Sequence, residues 1–159
     1  MAQKVAKDEF EAKALADIEK YGCHVIRVFA EGGLPEFCYS VGIQKSCGAP
    51  ELIVIGLKTE LAHWIINEYN ARVRSEGTLQ VGKYYSGFID GFDCLLQSVD
   101  RKHYQEYLGW DNWLYDGPNY SAVQLIYPTK TGIWPWQPEA ADIRRWQPVL
   151  STDGLPVFA

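Results

Sequence analysis

Phe37-Cys38-Tyr39-Ser40-Val41-Gly42, followed across a turn-rich interval by Pro50-Glu51-Leu52-Ile53-Val54-Ile55-Gly56-Leu57, is the stretch on which the fold turns. β-Branched and aromatic residues dominate both segments, each is too short for a helix, and neither shows a 3.6-residue period. They read as strands over Phe37–Ile43 and Leu52–Leu57, separated by Ser46-Cys47-Gly48-Ala49-Pro50. Upstream, Cys23–Phe29 has the same character, and Glu31-Gly32-Gly33-Leu34-Pro35 joins it to the Phe37 strand as a hairpin.

Working outward, Phe10, Ala14, Ile18 and Tyr21 recur at helical spacing, which predicts a helix from Asp8 to Tyr21. Asp8 and Glu11 form a capping-box pair and Gly22 supplies the stop. A second helix is predicted from Glu60 to Arg74, with Thr59 as N-cap and Leu61, Ile65, Tyr69 and Val73 on its buried face. Beyond it come strands at Lys83–Phe88 and Phe92–Val99, joined by the hairpin dipeptide Asp90-Gly91. Asp100 caps a short helix to Leu108 that Gly109 ends. A loop carries Trp110, Trp113 and Tyr115 to a last strand, Ser121–Tyr127, after which a Pro- and Trp-rich tail begins at Pro128.

These elements lack the regular strand–helix alternation of a doubly wound fold. The expected class is α+β, a single antiparallel or mixed sheet with two main helices packed on it. At 159 residues one domain buries roughly two thirds of its unfolded surface, so a second core is not expected. The domain is taken as 1–159, with a core of about 8–128 and the tail 129–159 docked on the sheet through Trp134, Trp136 and Trp146.

Hydrophobic residues make up 47% and charged residues 22%, which is the balance of a globular chain. The net charge of -5 disfavours nucleic acid, whose affinity comes from Lys and Arg neutralising phosphates, and makes a basic protein the easier partner. No apolar run approaches a membrane span and Met1–Ala16 lacks a signal peptide's apolar stretch, so a cytoplasmic protein is expected. Cys23, Cys38, Cys47 and Cys94 form no C-x-x-C pair and match no zinc spacing with the three histidines; they read as free thiols.

The Phe37–Gly42 and Pro50–Leu57 pair resembles the hallmark of the bacterial domain-of-unknown-function family 4262: aromatic-x-Tyr-Ser/Thr-x-Gly-Leu/Ile, then a Pro-Glu-Leu strand ending in Gly-Leu. The similarity continues through Trp64–Asn67, Val123–Pro128, Trp134-Pro135-Trp136 and Gln147–Leu150, and so covers nearly the whole chain. The sequence departs from that pattern at Ala49, where many relatives carry His, and at Ile43, in place of Leu.

No catalytic constellation stands out. Glu51 at a strand entrance has the position of a general base or of an acceptor for loop amides, and the acceptor reading is favoured. Ser40 lacks a G-x-S-x-G elbow. His24 and Cys23 alternate to opposite faces of a strand, while His63 and His103 read as surface or capping groups. Gly82-Lys83 and Gly87 do not form a phosphate loop.

The six Trp and ten Tyr exceed what so small a core usually absorbs. Either they thicken the core or they form a binding surface, for which Trp110, Trp113, Tyr115, Tyr39, Glu51, Trp134 and Trp136 are the candidate residues. The favoured reading is a non-catalytic module that recognises another protein, as immunity proteins and inhibitors do. The alternative is a small-molecule domain, because the Tyr-Ser-x-Gly strand loosely resembles the paired strands of flavin-binding split barrels. A flavin, the runner-up to no cofactor at all, lacks here the basic cluster its phosphate wants.

Overall fold

In the computed structural model, which describes residues 4–140 and 142–159, Asp8 starts α1 (Glu9–Tyr21) by accepting the Glu11 amide at 2.8 Å, and Gly22 ends it in the left-handed conformation. The chain then forms β1 (His24–Val28), β2 (Phe37–Val41), α2 (Ile43–Cys47), β3 (Glu51–Ile55), α3 (Thr59–Glu76), β4 (Tyr84–Ile89) and β5 (Phe92–Ser98). After a 3-10 turn at Arg101–His103 come α4 (Tyr104–Tyr107), α5 (Gly109–Leu114) and β6 (Ala122–Ile126). The class is α+β, with one six-stranded mixed sheet in the order β1-β2-β3-β6-β5-β4. β3 and β6 pair in parallel and the other neighbours are antiparallel. The two parallel strands lie in the middle, buried at every residue, which is why they are mostly apolar on both faces rather than alternating, with Glu51 and Gln124 as hydrogen-bonded exceptions.

Two apolar layers flank the sheet. On one face α3 sets Ala62, Ile65, Ile66, Tyr69 and Val73 on Cys38, Leu52, Val54, Leu96, Val123 and Leu125. On the other, Ile18 of α1 and Tyr104, Leu108 and Leu114 of α4–α5 cover Tyr39, Val41, Ile53 and Ile55. The rest of that second face is taken by the tail through glutamine amides. Gln124 on β6 donates to Pro148 O and accepts from Leu150 N, at 2.8 and 2.9 Å. Gln147 brackets both backbone groups of Tyr127, and Gln97 accepts from Val157 N.

Several expectations need correcting. Phe10 and Tyr21 are exposed, because α1 packs through buried Ala14 and Ile18 and half-buried Leu15 instead. Leu61 is partly exposed, Ala62 and Ile66 take its place, and Lys58 rather than Thr59 precedes α3. The turn-rich interval before Pro50 contains α2. Gly109 begins a helix instead of ending one, so Trp110 and Trp113 are helical residues packed against the second apolar layer. Trp146 is exposed; its backbone, not its ring, meets the sheet.

Candidate functional site

The Ser40-x-Gly42 and Pro50-Glu51 motif builds one buried hub. Glu51 is fully buried at the start of β3 and accepts five hydrogen bonds. Its Oε1 takes the Ser40 hydroxyl at 2.7 Å and the Ile43 amide at 3.1 Å; Oε2 takes the Gly42 and Gln44 amides at 3.1 Å and the Tyr115 hydroxyl at 2.5 Å. Ser40 in turn accepts the Leu52 amide, and Tyr115 accepts the Lys45 amide. Burial pushes the Glu51 carboxyl above its ordinary range, while the hydroxyls and amides pull it back. Every partner is a donor, so the group they are arranged for is the carboxylate. Glu51 thus closes the open amides of α2 that no side-chain N-cap satisfies.

The motif's glycines have equally local causes. Gly42 has φ 106, and a Cβ there would lie 2.7 Å from Ile18 Cγ1, so α1 can seat only on a glycine. Gly56 has φ 88, and a Cβ would meet Trp146 O at 2.3 Å, where the tail crosses β3.

Beside the hub, Asp111 on α5 is fully buried and neither carboxyl oxygen has a hydrogen-bond partner among the described residues. Burial, reinforced by the charge of Glu51, pushes its carboxyl well above the ordinary value. Five donors favour the charged form of Glu51, whereas Asp111, with none among the described residues, is pushed toward its neutral form. Tyr104, Tyr120 and Tyr115 stack beside them at 4.8 and 4.9 Å between ring centres, and Tyr120 donates to Asn112 at 2.7 Å.

An open site lies at the other end of the sheet's order. β1 pairs only with β2, and among the described residues no main-chain group outside the sheet bonds to His24–Val28. Lys13, Asp17 and Tyr21 on α1 and His63, Asn67 and Asn70 on α3 recur at one-face helical spacing and flank that edge in a groove of about 580 Å3. Asp17 holds His24 Nδ1 at 2.7 Å, and the hydrogen bonds from His24 and Lys13 hold the Asp17 carboxyl below its ordinary value against the pull of burial. Arg27 meets His63 Nδ1 at 2.5 Å. A guanidinium can only donate, so His63 is the neutral ring with its proton on Nε2. Burial, then Arg27, then His24 push its pKa down accordingly. Among the described residues no three His, Cys, Asp or Glu are placed to hold a metal ion.

The profile of a family described as "Domain of unknown function (DUF4262)" matches residues 17–141. The chain belongs to that family. No curated protein and no solved structure matches it. The DUF4262 match includes the hub, all of α3, the last turn of α1 from Asp17, and all six strands.

Within this DUF4262 domain the aromatic candidates separate. Tyr39 and Glu51 are buried and offer a partner no surface; the Tyr39 hydroxyl accepts the Trp110 amide at 3.0 Å. Trp110 and Trp113 are half-buried and meet edge to face at 5.3 Å, and Trp110 lies 6.3 Å from the His24 ring, on the shoulder of the groove. Tyr115 belongs to the hub. Trp134 and Trp136 stack on each other at 5.2 Å with 11° between planes, and Trp134 also packs on Tyr84 of β4. Sequence reading passed over Asp17, Arg27 and Asn70, and took His63 as a surface or capping group. The signal for them was the one-face spacing of polar residues on the two helices next to a strand with exposed apolar ends.

Proposed function

We propose that this domain is a non-catalytic binding module that recognises another protein by taking a segment of it along the open edge of β1. An unpaired edge presents a row of N–H and C=O groups that another strand can complete. The observation that carries the reading is the contrast between the two edges. β4 is interrupted by a register shift between Tyr85 and Ile89, and tail residues Trp134 and Phe158 pack on its Tyr84. β1 runs in unbroken register over five residues, and exposed Val28, Phe29 and Leu34 continue its apolar surface. The Glu51 hub favours a structural part for the one carboxylate with a catalytic look, since five donors occupy it.

The test is site-directed photocrosslinking in a lysate of the source cells, with the crosslinker at Phe29, at Trp113 or at exposed Gln105. A discrete protein adduct from Phe29 alone is expected. Adducts from Trp113 but not Phe29 would return the docking site to the α5 tryptophans, and adducts from none would remove the reading.

A further inference from the structure

We propose that the groove along β1 selects an extended acidic segment of its protein partner, with a carboxylate at the Arg27–His63 end and a hydrogen-bond donor at the Asn70 end. The inference rests on the β1-edge reading and adds to it the chemistry of the occupant.

Arg27 is exposed and pairs with no carboxylate among the described residues. Its neighbour there is the neutral His63 ring, itself a donor through Nε2. His63 occupies one nitrogen of this permanent cation, and the remaining N–H groups of Arg27 are open to a carboxylate through charge-assisted bonds. The opposite end has the complementary need. Asn70 is 7% exposed and lines the same groove; its Nδ2 donates to Tyr21 O at 2.9 Å, which fixes the amide's orientation. Its Oδ1 then points to no donor among the described residues. A buried acceptor left without a partner is costly, and a peptide N–H or a hydroxyl satisfies it.

The spacing suits a strand. His63 and Asn70 are seven residues apart on α3, about 10 Å along the helix axis, which is roughly three residues of extended chain. α3 runs antiparallel to β1, since His63 meets Arg27 while Asn70 meets Tyr21, just before the strand. The segment thus crosses both features while paired to β1. The chain's net charge of -5 favours a basic partner only at long range. At physiological salt such fields are screened within about 8 Å, and the lining charges Arg27 and Lys13 against Asp17 decide at contact.

The probe is a displayed library of short random peptides, selected on the full folded chain, with binding sites mapped by backbone amide shifts. Selected peptides enriched in Asp and Glu over the input are expected. They should shift the amides of His24–Val28, lose about tenfold or more in affinity on Arg27→Ala, and recover part of it with Arg27→Lys. Peptides that shift those amides without acidic enrichment would overturn the acidic inference and leave the β1-edge reading standing. Peptides that bind elsewhere, or a library that yields none, would overturn both. N-acetylglutamate matching the peptides in Arg27-dependent affinity would show a small-carboxylate site instead and overturn the peptide inference alone.

Discussion

Replacing Glu51 by Gln keeps the shape of the hub and removes its logic. The carboxylate has two acceptor oxygens, with Ser40 and Ile43 on one and Gly42, Gln44 and Tyr115 on the other. An amide has one. Keeping the three-donor side sets the new NH2 against the Ser40 hydroxyl, which can turn away, and against the Ile43 amide, which cannot. That leaves a buried backbone donor unsatisfied, at about 1–3 kcal/mol. The three surviving bonds fall from charge-assisted to neutral, at roughly 1 kcal/mol each. Relief from burying a charge offsets part of the sum, and a loss of about 3 kcal/mol remains. For a domain of this length that lowers the melting temperature by about 6–12 °C. Thermal unfolding by circular dichroism measures it, and Tyr115→Phe alone should cost about 1 kcal/mol, less when Glu51 is already Gln. A Glu51→Gln variant melting within about 2 °C of the parent would refute the hub as a structural device and reopen a chemical role for the residue.

Asp111 carries a prediction of sign. Its folded carboxyl holds a proton at pH values where the unfolded chain, titrating near 3.8, has released it. Stability therefore falls as pH rises from that value toward the folded one. Asp111→Asn cannot titrate, so its melting temperature should gain on the parent's with increasing pH; a constant difference would count against a buried neutral acid. Among the cysteines, exposed Cys47 should react with a thiol reagent in the native protein. Buried Cys23, Cys38 and Cys94, with thiols pushed up by burial to about 12, 11 and 12, should react only on unfolding. Fast native reaction of two or more would place them differently. Deleting the chain after Pro128 removes buried Leu150 from the second apolar layer and strips buried Gln97 and Gln124 of their tail partners. At about 1.5–3 kcal/mol for Leu150 alone this removes much of an ordinary domain's stability. A soluble truncation with an unchanged melt would make the tail a detachable arm. The purified protein should be colourless, and a bound flavin seen above the tryptophan absorption band would replace protein recognition with small-molecule chemistry.

The elements legible in the sequence are those whose cause is local. Asp8, Glu11 and Gly22 bound α1, Asp90-Gly91 turns β4 into β5, and the apolar run Leu52–Ile55 and the mostly apolar Val123–Ile126 mark strands covered on both faces. The amide contacts of Glu51 were readable too, because a carboxylate beside loop amides has few other partners, but its complete burial, at odds with a place among the binding candidates, was not. What the sequence left open depends on contacts between distant residues. Helical spacing cannot tell that Phe10 and Tyr21 overhang the sheet, nor that Trp110 and Trp113 ride a short helix instead of a loop, since five or six residues carry too little periodicity to register. Nothing local ties Gln124 to Leu150, or Gly56 to the backbone at Trp146. Above all, an edge exists only once strand order is set. Tertiary packing places β1 last in the sheet, brings Lys13, Asp17, His63 and Asn70 from two helices along it, leaves Arg27 at a groove that no stretch of sequence encodes by itself, and buries the Asn70 oxygen without a partner beside it.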